Sequence, residues 1–223
     1  MKKRILYAAG TALCLLLLLI VIACAAVTHM GRDGKLYAAC FHAFARDTER
    51  FGVTESDYDG IGRDLGAYFS GEDVGFPYFN QREMTHLSDI RGLFRMFDRA
   101  WLLLLLIVPL AFFLARRPDP KGFWMGLGLT AVLLAALAMY IALDFESAFI
   151  LMHRLLFTND LWLLNPYTDL LICLMPEEMF IYLAKRLAWI VIPAWLLIPT
   201  LAILAYQRYV DRSEATPGRK RRP

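Results

Sequence analysis

Residues 5–28 read "ILYAAGTALCLLLLLIVIACAAVT", a run without one charged side chain. A bilayer's hydrocarbon core, ~30 Å thick, takes about 20 apolar helical residues to cross. This stretch is long enough by itself, so the reading of the chain begins with a membrane. A length of 223 residues would suit one or two soluble domains, but a hydrophobic content of 58% gathered in such runs does not. Three further windows carry no charge: Ala100–Ala115, Gly122–Leu143 and Leu187–Gln207. The first of these is short. Its helix is expected to extend outward through Leu93–Arg99, which brings Arg95, Asp98 and Arg99 to the interface. None of the windows alternates as barrel strands do, and lipid admits only helices or closed barrels. The expectation is an all-α membrane protein, a four-helix transmembrane bundle with spans at about 5–28, 93–115, 122–143 and 187–207, forming a single integral membrane domain over 1–223.

The start "MKKR" would also suit a cleaved signal peptide. The apolar run that follows is long for a signal h-region of roughly 7–15 residues, so a retained anchor is expected. Ile22 in "VIAC" occupies a position where a lipobox wants a small residue.

Orientation follows from Lys and Arg in short flanks. The amino terminus, the link "ARRPDPK" and the tail "GRKRRP" are all basic, and an even number of spans puts them on one side. Residues 1–4, 116–121 and 208–223 are therefore expected in the cytoplasm, and 29–92 and 144–186 outside. The outer stretches are acid-rich, with 12 acidic against 9 basic residues over 29–99 and 6 against 3 over 144–186. A net charge of +3 arranged in this way gives no argument for nucleic acid; it suits topology and contact with anionic membrane lipid. Cys14, Cys24, Cys40 and Cys173 make neither a disulfide framework nor a zinc spacing and are expected unpaired.

The 29–92 segment is expected to be partly helical. Thr54 and Asp57 form a capping pair before a helix with Tyr58, Ile61, Leu65, Tyr68 and Phe69 on one face and Gly71 as its stop. An extended piece, "VGFPYF", follows. Asn80 with Glu83 three residues later begins a second helix that runs into the second span. Beyond the third span, "ESAFILMHRLLF" has helical spacing at the interface. Asn165–Pro166 and Pro176–Glu177 read as two more helix starts, the latter leading into the fourth span.

The polar residues beside these spans need explaining. His86 has Asp89 one turn away, able to accept from one ring nitrogen and leave the other as a base. His153 lies in the only other outer segment and is placed to face it. His29 and His42 lack comparable support and are read as interfacial residues. Asn159, Asp160, Asn165, Thr168 and Asp169 suit turn capping, and Trp162 and Tyr167 suit an aromatic belt. Serine-nucleophile, glycine-rich phosphate and "HExxH" motifs are absent. His86, Asp89, His153 and Asp169 could in principle ligate a metal, but they are scattered.

Two blocks carry a resemblance. "YFNQREMTHLSDIRGLF" contains Glu83, His86, Leu87, Asp89 and Ile90. "FILMHRLLFTNDLWLLNPYTDLLICLMPEEMF" contains His153, Phe157, Asn159, Asp160, Trp162, Leu164, Pro166, Thr168, Asp169, Leu171 and Ile172. Together with the span layout they resemble the bacterial lipoprotein intramolecular transacylase (Lit) family. The second block departs from the family pattern in carrying Arg154 after His153 and no aromatic directly before it.

The resemblance implies a plasma-membrane enzyme with its active site on the outer face. The sn-2 acyl chain of a diacylglyceryl-cysteine lipoprotein would move to that protein's own terminal amine, leaving the lyso form, without a cofactor or metal. It implies His86 as general base oriented by Asp89, and His153 as the second essential histidine. Asn159, Asn165 and Thr168 are candidate carbonyl donors, with Glu83 and Asp169 as supports. The residues by themselves also admit a metal-dependent membrane hydrolase or a non-catalytic membrane subunit or sensor. The oligomeric state is left open.

Overall fold

The computed structural model describes residues 2–114 and 119–215. Met1, the centre of the basic link and the end of the basic tail, all assigned above to the cytoplasm, lie outside the described residues. Described elements are helices: α1 (Lys2–Gly31), α2 (Gly34–Phe44), α3 (Tyr58–Ser70), α4 (Gln81–Leu114), α5 (Pro120–Leu143), α6 (Phe145–Leu156), α7 (Leu170–Leu174) and α8 (Glu177–Ala215). Among the described residues, three stretches are long and apolar enough to cross a membrane: Arg4–Gly31, Pro120–Leu143 and Glu177–Arg212. α4 is one unbroken helix, as the capping signal at Asn80 and the apolar window after it predict.

Close backbone approach binds the long helices. A Cβ at Gly126 would come within 2.7 Å of the Ala8 carbonyl oxygen, so α5 rests directly on α1. α8 joins them through the Trp195 indole N–H, which donates to the Leu15 carbonyl at 2.9 Å in a buried position.

The 29–92 segment builds its own core. α2, which the sequence reading did not assign, starts where Asp33 accepts from the backbone N–H groups of Lys35 and Leu36. It crosses α3 so tightly that a Cβ on Gly62 would meet the Ala38 amide at 2.6 Å. Thr54 and Asp57 form the expected capping box, and Gly71 ends α3 with a φ of 112° that disfavours any residue with a Cβ. Phe41, Leu65, Leu87, Leu170, Leu174 and Met179 are essentially sealed in one cluster that joins α2 and α3 to α4, α7 and α8. Residues 72–80 form irregular chain and turn.

The Asn165–Pro166 helix start is not formed. The Asn165 carbonyl accepts from the Thr168 and Asp169 N–H groups and closes a turn there; α7 begins only at Leu170. Pro176 does precede α8 as expected.

Candidate active site

α4 opens with a reciprocal cap. Asn80 Oδ1 accepts from the N–H groups of Arg82 and Glu83, and Glu83 Oε2 accepts from the Asn80 N–H at 2.7 Å. The other carboxylate oxygen reaches across the chain to the Leu171 N–H at 2.6 Å. Glu83 is only 1% exposed. Burial raises its pKa above the ordinary carboxylate range, against the pull of those two amides.

Asn80 also donates through Nδ2 to Asp169 Oδ1 at 2.7 Å, and Asp169 Oδ2 takes the Asn165 N–H. Arg82 donates to the carbonyls of Asp160 and Leu163, and Asn159 to Asp89 Oδ2 at 2.9 Å. Asn159, Asp160, Thr168 and Asp169 of the second sequence block are thus tied to the start of α4.

This pinning brings His86 and His153 together. Both are buried, with ring centroids 6.2 Å apart. The His153 ring lies among aromatics: Phe149 at 4.1 Å, Trp162 at 4.9 Å and Phe157 at 5.6 Å. The aromatic missing from the position before His153 is supplied one helical turn earlier. His153 Nδ1 lies 2.8 Å from the Phe149 carbonyl oxygen. A carbonyl only accepts, so Nδ1 carries the proton, and the neutral ring keeps its lone pair on Nε2. Burial holds the His153 pKa below the ordinary histidine value, although the Phe149 bond works the other way.

His86 is in a different condition. Its Nδ1 is buried without a hydrogen-bond partner. Burial first, and nearby His153 second, lower its pKa to about 4, with Asp89 opposing. The ring is therefore neutral at physiological pH and holds one N–H to give. The hydrogen bond anticipated from His86 to Asp89 is not the one formed; that carboxylate is engaged by Asn159.

Both rings border an open, strongly apolar cavity of about 730 Å³. Neither Asn165 nor Thr168 lines it: both are exposed in the turn before α7, where Asn165 Oδ1 accepts from the Tyr167 N–H. Two imidazoles at the edge of an apolar cavity, one tautomer fixed by a backbone carbonyl, suit proton transfer on a substrate with a greasy tail.

The family model for the lipoprotein intramolecular transacylase Lit matches residues 9–180. The chain belongs to that family. Three solved structures share the transacylase fold, all of Lit from Bacillus cereus crystallised in meso. One aligns with a TM-score of 0.69 at 21% identity, over 96% of this chain and 99% of that one. The second carries a histidine-to-arginine substitution and aligns at 0.64 and 21%, over 96% and 94%. The third, with histidine changed to alanine, aligns at 0.63 and 20%, over 96% and 97%. Curated proteins give no match. The Lit assignment makes the chain a multi-pass membrane transacylase.

His42, read above as unsupported, has two partners: Nδ1 lies 3.2 Å from Glu55 and Nε2 3.1 Å from Asp59. Those carboxylates raise its pKa. It borders a separate polar groove at the end of α2, lined by Asp47, Thr48, Glu49, Arg50 and Glu55 of the connection to α3. The sequence hid this because the partners sit 13 and 17 residues away on another element. All four cysteines are free. Among the described residues no three His, Cys, Asp or Glu side chains converge as a metal site would need.

Proposed function

We propose that this transacylase moves the sn-2 acyl chain of a diacylglyceryl-cysteine lipoprotein onto the α-amine of the same cysteine. The facing histidines at the cavity edge carry this reading. α4 supplies a fourth span through 93–114, the basic termini face the cytoplasm, and the histidines work at the outer face of a bacterial plasma membrane within one integral domain.

An α-ammonium has a reference pKa of about 7.7–8.0 and must lose a proton before it can attack. The free amine then adds to the ester carbonyl carbon. As the C–N bond forms, its extra proton passes to His153 Nε2. The N–H of neutral His86 donates to the developing oxyanion, a role its depressed pKa protects. The tetrahedral species collapses with cleavage of the bond to the sn-2 oxygen, and His153 returns the proton there. An amide and a free glycerol hydroxyl result, with no protein nucleophile consumed. The division of labour reverses the sequence expectation, which gave the base to His86: the fixed tautomer on His153 favours it instead. Asp89 with Asn159, and Glu83 with Asp169, Asn165 and Thr168, hold the two histidine-bearing segments together. Both reacting groups belong to one molecule, so the main contribution is orientation, where effective molarities reach ~10⁵ M.

The test is mass spectrometry of a lipoprotein amino terminus from a host lacking N-acylation, with and without this protein. Expression should convert the diacylglyceryl form to the N-acyl lyso form at unchanged total mass. His86→Ala and His153→Ala should each cut conversion by about 10²-fold or more while the protein still accumulates. Wild-type conversion by either variant would remove that histidine from the mechanism.

A further inference from the structure

The cavity has a long axis. α4 lines it with His86, Ile90, Leu93 and Phe97. These positions repeat at i, i+4, i+7 and i+11 and share one helical face. From residue 86 to 97 the helix rises ~17 Å at 1.5 Å per residue. α8 runs the same way and contributes residues from Met179 to Leu187. α5 runs back toward the histidine end, and its farthest lining residue is Leu137. Among the described residues the lining ends at that level, and Phe97 packs there against the sealed cluster shared by α2, α3, α4, α7 and α8. The cavity is thus a slot that starts at the histidines and follows the helix carrying one of them.

We propose that the slot holds the migrating acyl chain lengthwise along α4, and that Phe97 sets the longest chain accepted. The proposal rests on the transacylase reading above. A chain entering the slot from lipid gains little by transfer, because lipid tails are as apolar as the side chains it meets. Length is what the slot can sense. A chain that stops short forgoes contact with Phe97, and one that overruns must displace it or bend out through the open side of the slot past the exposed Leu137. Stop and histidine share one rigid helix, so the distance from the reacting carbonyl to the stop is fixed by α4 itself.

The experiment compares synthetic diacylglyceryl lipopeptides bearing myristoyl, palmitoyl or stearoyl chains at sn-2, scored by mass spectrometry of the N-acyl product. Phe97→Ala should raise the stearoyl-to-myristoyl ratio of kcat/KM by about tenfold, and Phe97→Trp should lower it by about tenfold. If the Phe97 variants do not accumulate, Leu187→Ala and Leu187→Phe must move the ratio in the same two directions. Product formed with an unmoved ratio in the accumulating variants overturns the ruler alone. No N-acyl product from any chain with the unsubstituted protein overturns the transacylase reading and the ruler with it.

Discussion

The two segments that carry the histidines are built differently. Residues 29–92 pack a core of their own, with α2 crossing α3 at backbone contact and Phe41 and Leu65 fully sealed. Residues 144–169 have no such core. α6 leaves Leu151 and Leu155 exposed, and the turn that follows hangs on bonds with Asn80, Arg82 and Asp89, while Glu83 holds the Leu171 N–H just beyond it. One histidine therefore stands on a post and the other on a strap. Stability should reside mainly in the first segment and the mutual placement of the imidazoles in the clamps on the second.

Leu65→Ala strikes the post. It opens a cavity in a sealed cluster and should cost about 2–5 kcal/mol, read as a lower midpoint of thermal unfolding in detergent. The molecules still folded should keep their turnover. Loss of turnover at full stability would break the distinction.

Glu83→Ala strikes the joint between post and strap. The buried Leu171 N–H loses its acceptor, at about 1–3 kcal/mol, the partly buried Asn80 N–H loses its own, and kcat should fall more steeply than the midpoint. Glu83→Gln retains one acceptor and should fall between the two. An alanine variant with native kcat would show that the strap is placed by something else.

The pH profile sharpens the same point. The base works as neutral imidazole and is lost on protonation as pH falls. Burial depresses His153, so the histidine limb of kcat should lie below pH 6.5. Loosening the strap with Glu83→Gln admits water to the ring and should move that limb up toward 6.5. A limb already at 6.5 in the unsubstituted protein would mean the strap does not seal His153.

Arg50→Ala sets the floor. Its exposed 3.4 Å bond to the Pro166 carbonyl is long, and removal should change stability and turnover by no more than about 0.5 kcal/mol. A larger effect in a turnover assay would move that contact into the clamp.

Local signals told the sequence reading most of what is local. Uncharged runs marked α1, α5 and α8, and Asn80 with Glu83 marked the start of α4, because span length and capping are properties of neighbouring residues. α2 escaped because its cap, Asp33, follows α1 almost directly, with only Arg32 and Asp33 between the two helices. The blocks singled out both histidines that border the cavity. Their hydrogen-bond surroundings were not legible from residue types and spacing alone. Asp89 is taken by Asn159 from 70 positions away, and the Phe149 carbonyl fixes the His153 tautomer. Phe149 and Phe157, four residues on either side of His153, were the spacing that could have revealed its aromatic surround.

The bond from the Leu171 N–H to Glu83 spans 88 positions. During biosynthesis, Glu83 leaves the ribosome with its cap on Asn80 available at once. Its second oxygen must wait until α5 and α6 have been made and placed. Until then the start of α4 keeps a carboxylate oxygen without its final partner, and the first histidine has no counterpart. The pairing of the two histidine-bearing segments is consequently a late event in the life of each nascent chain, and a chain interrupted before residue 171 lacks both this bond and the Leu174 and Met179 side chains that complete the sealed cluster.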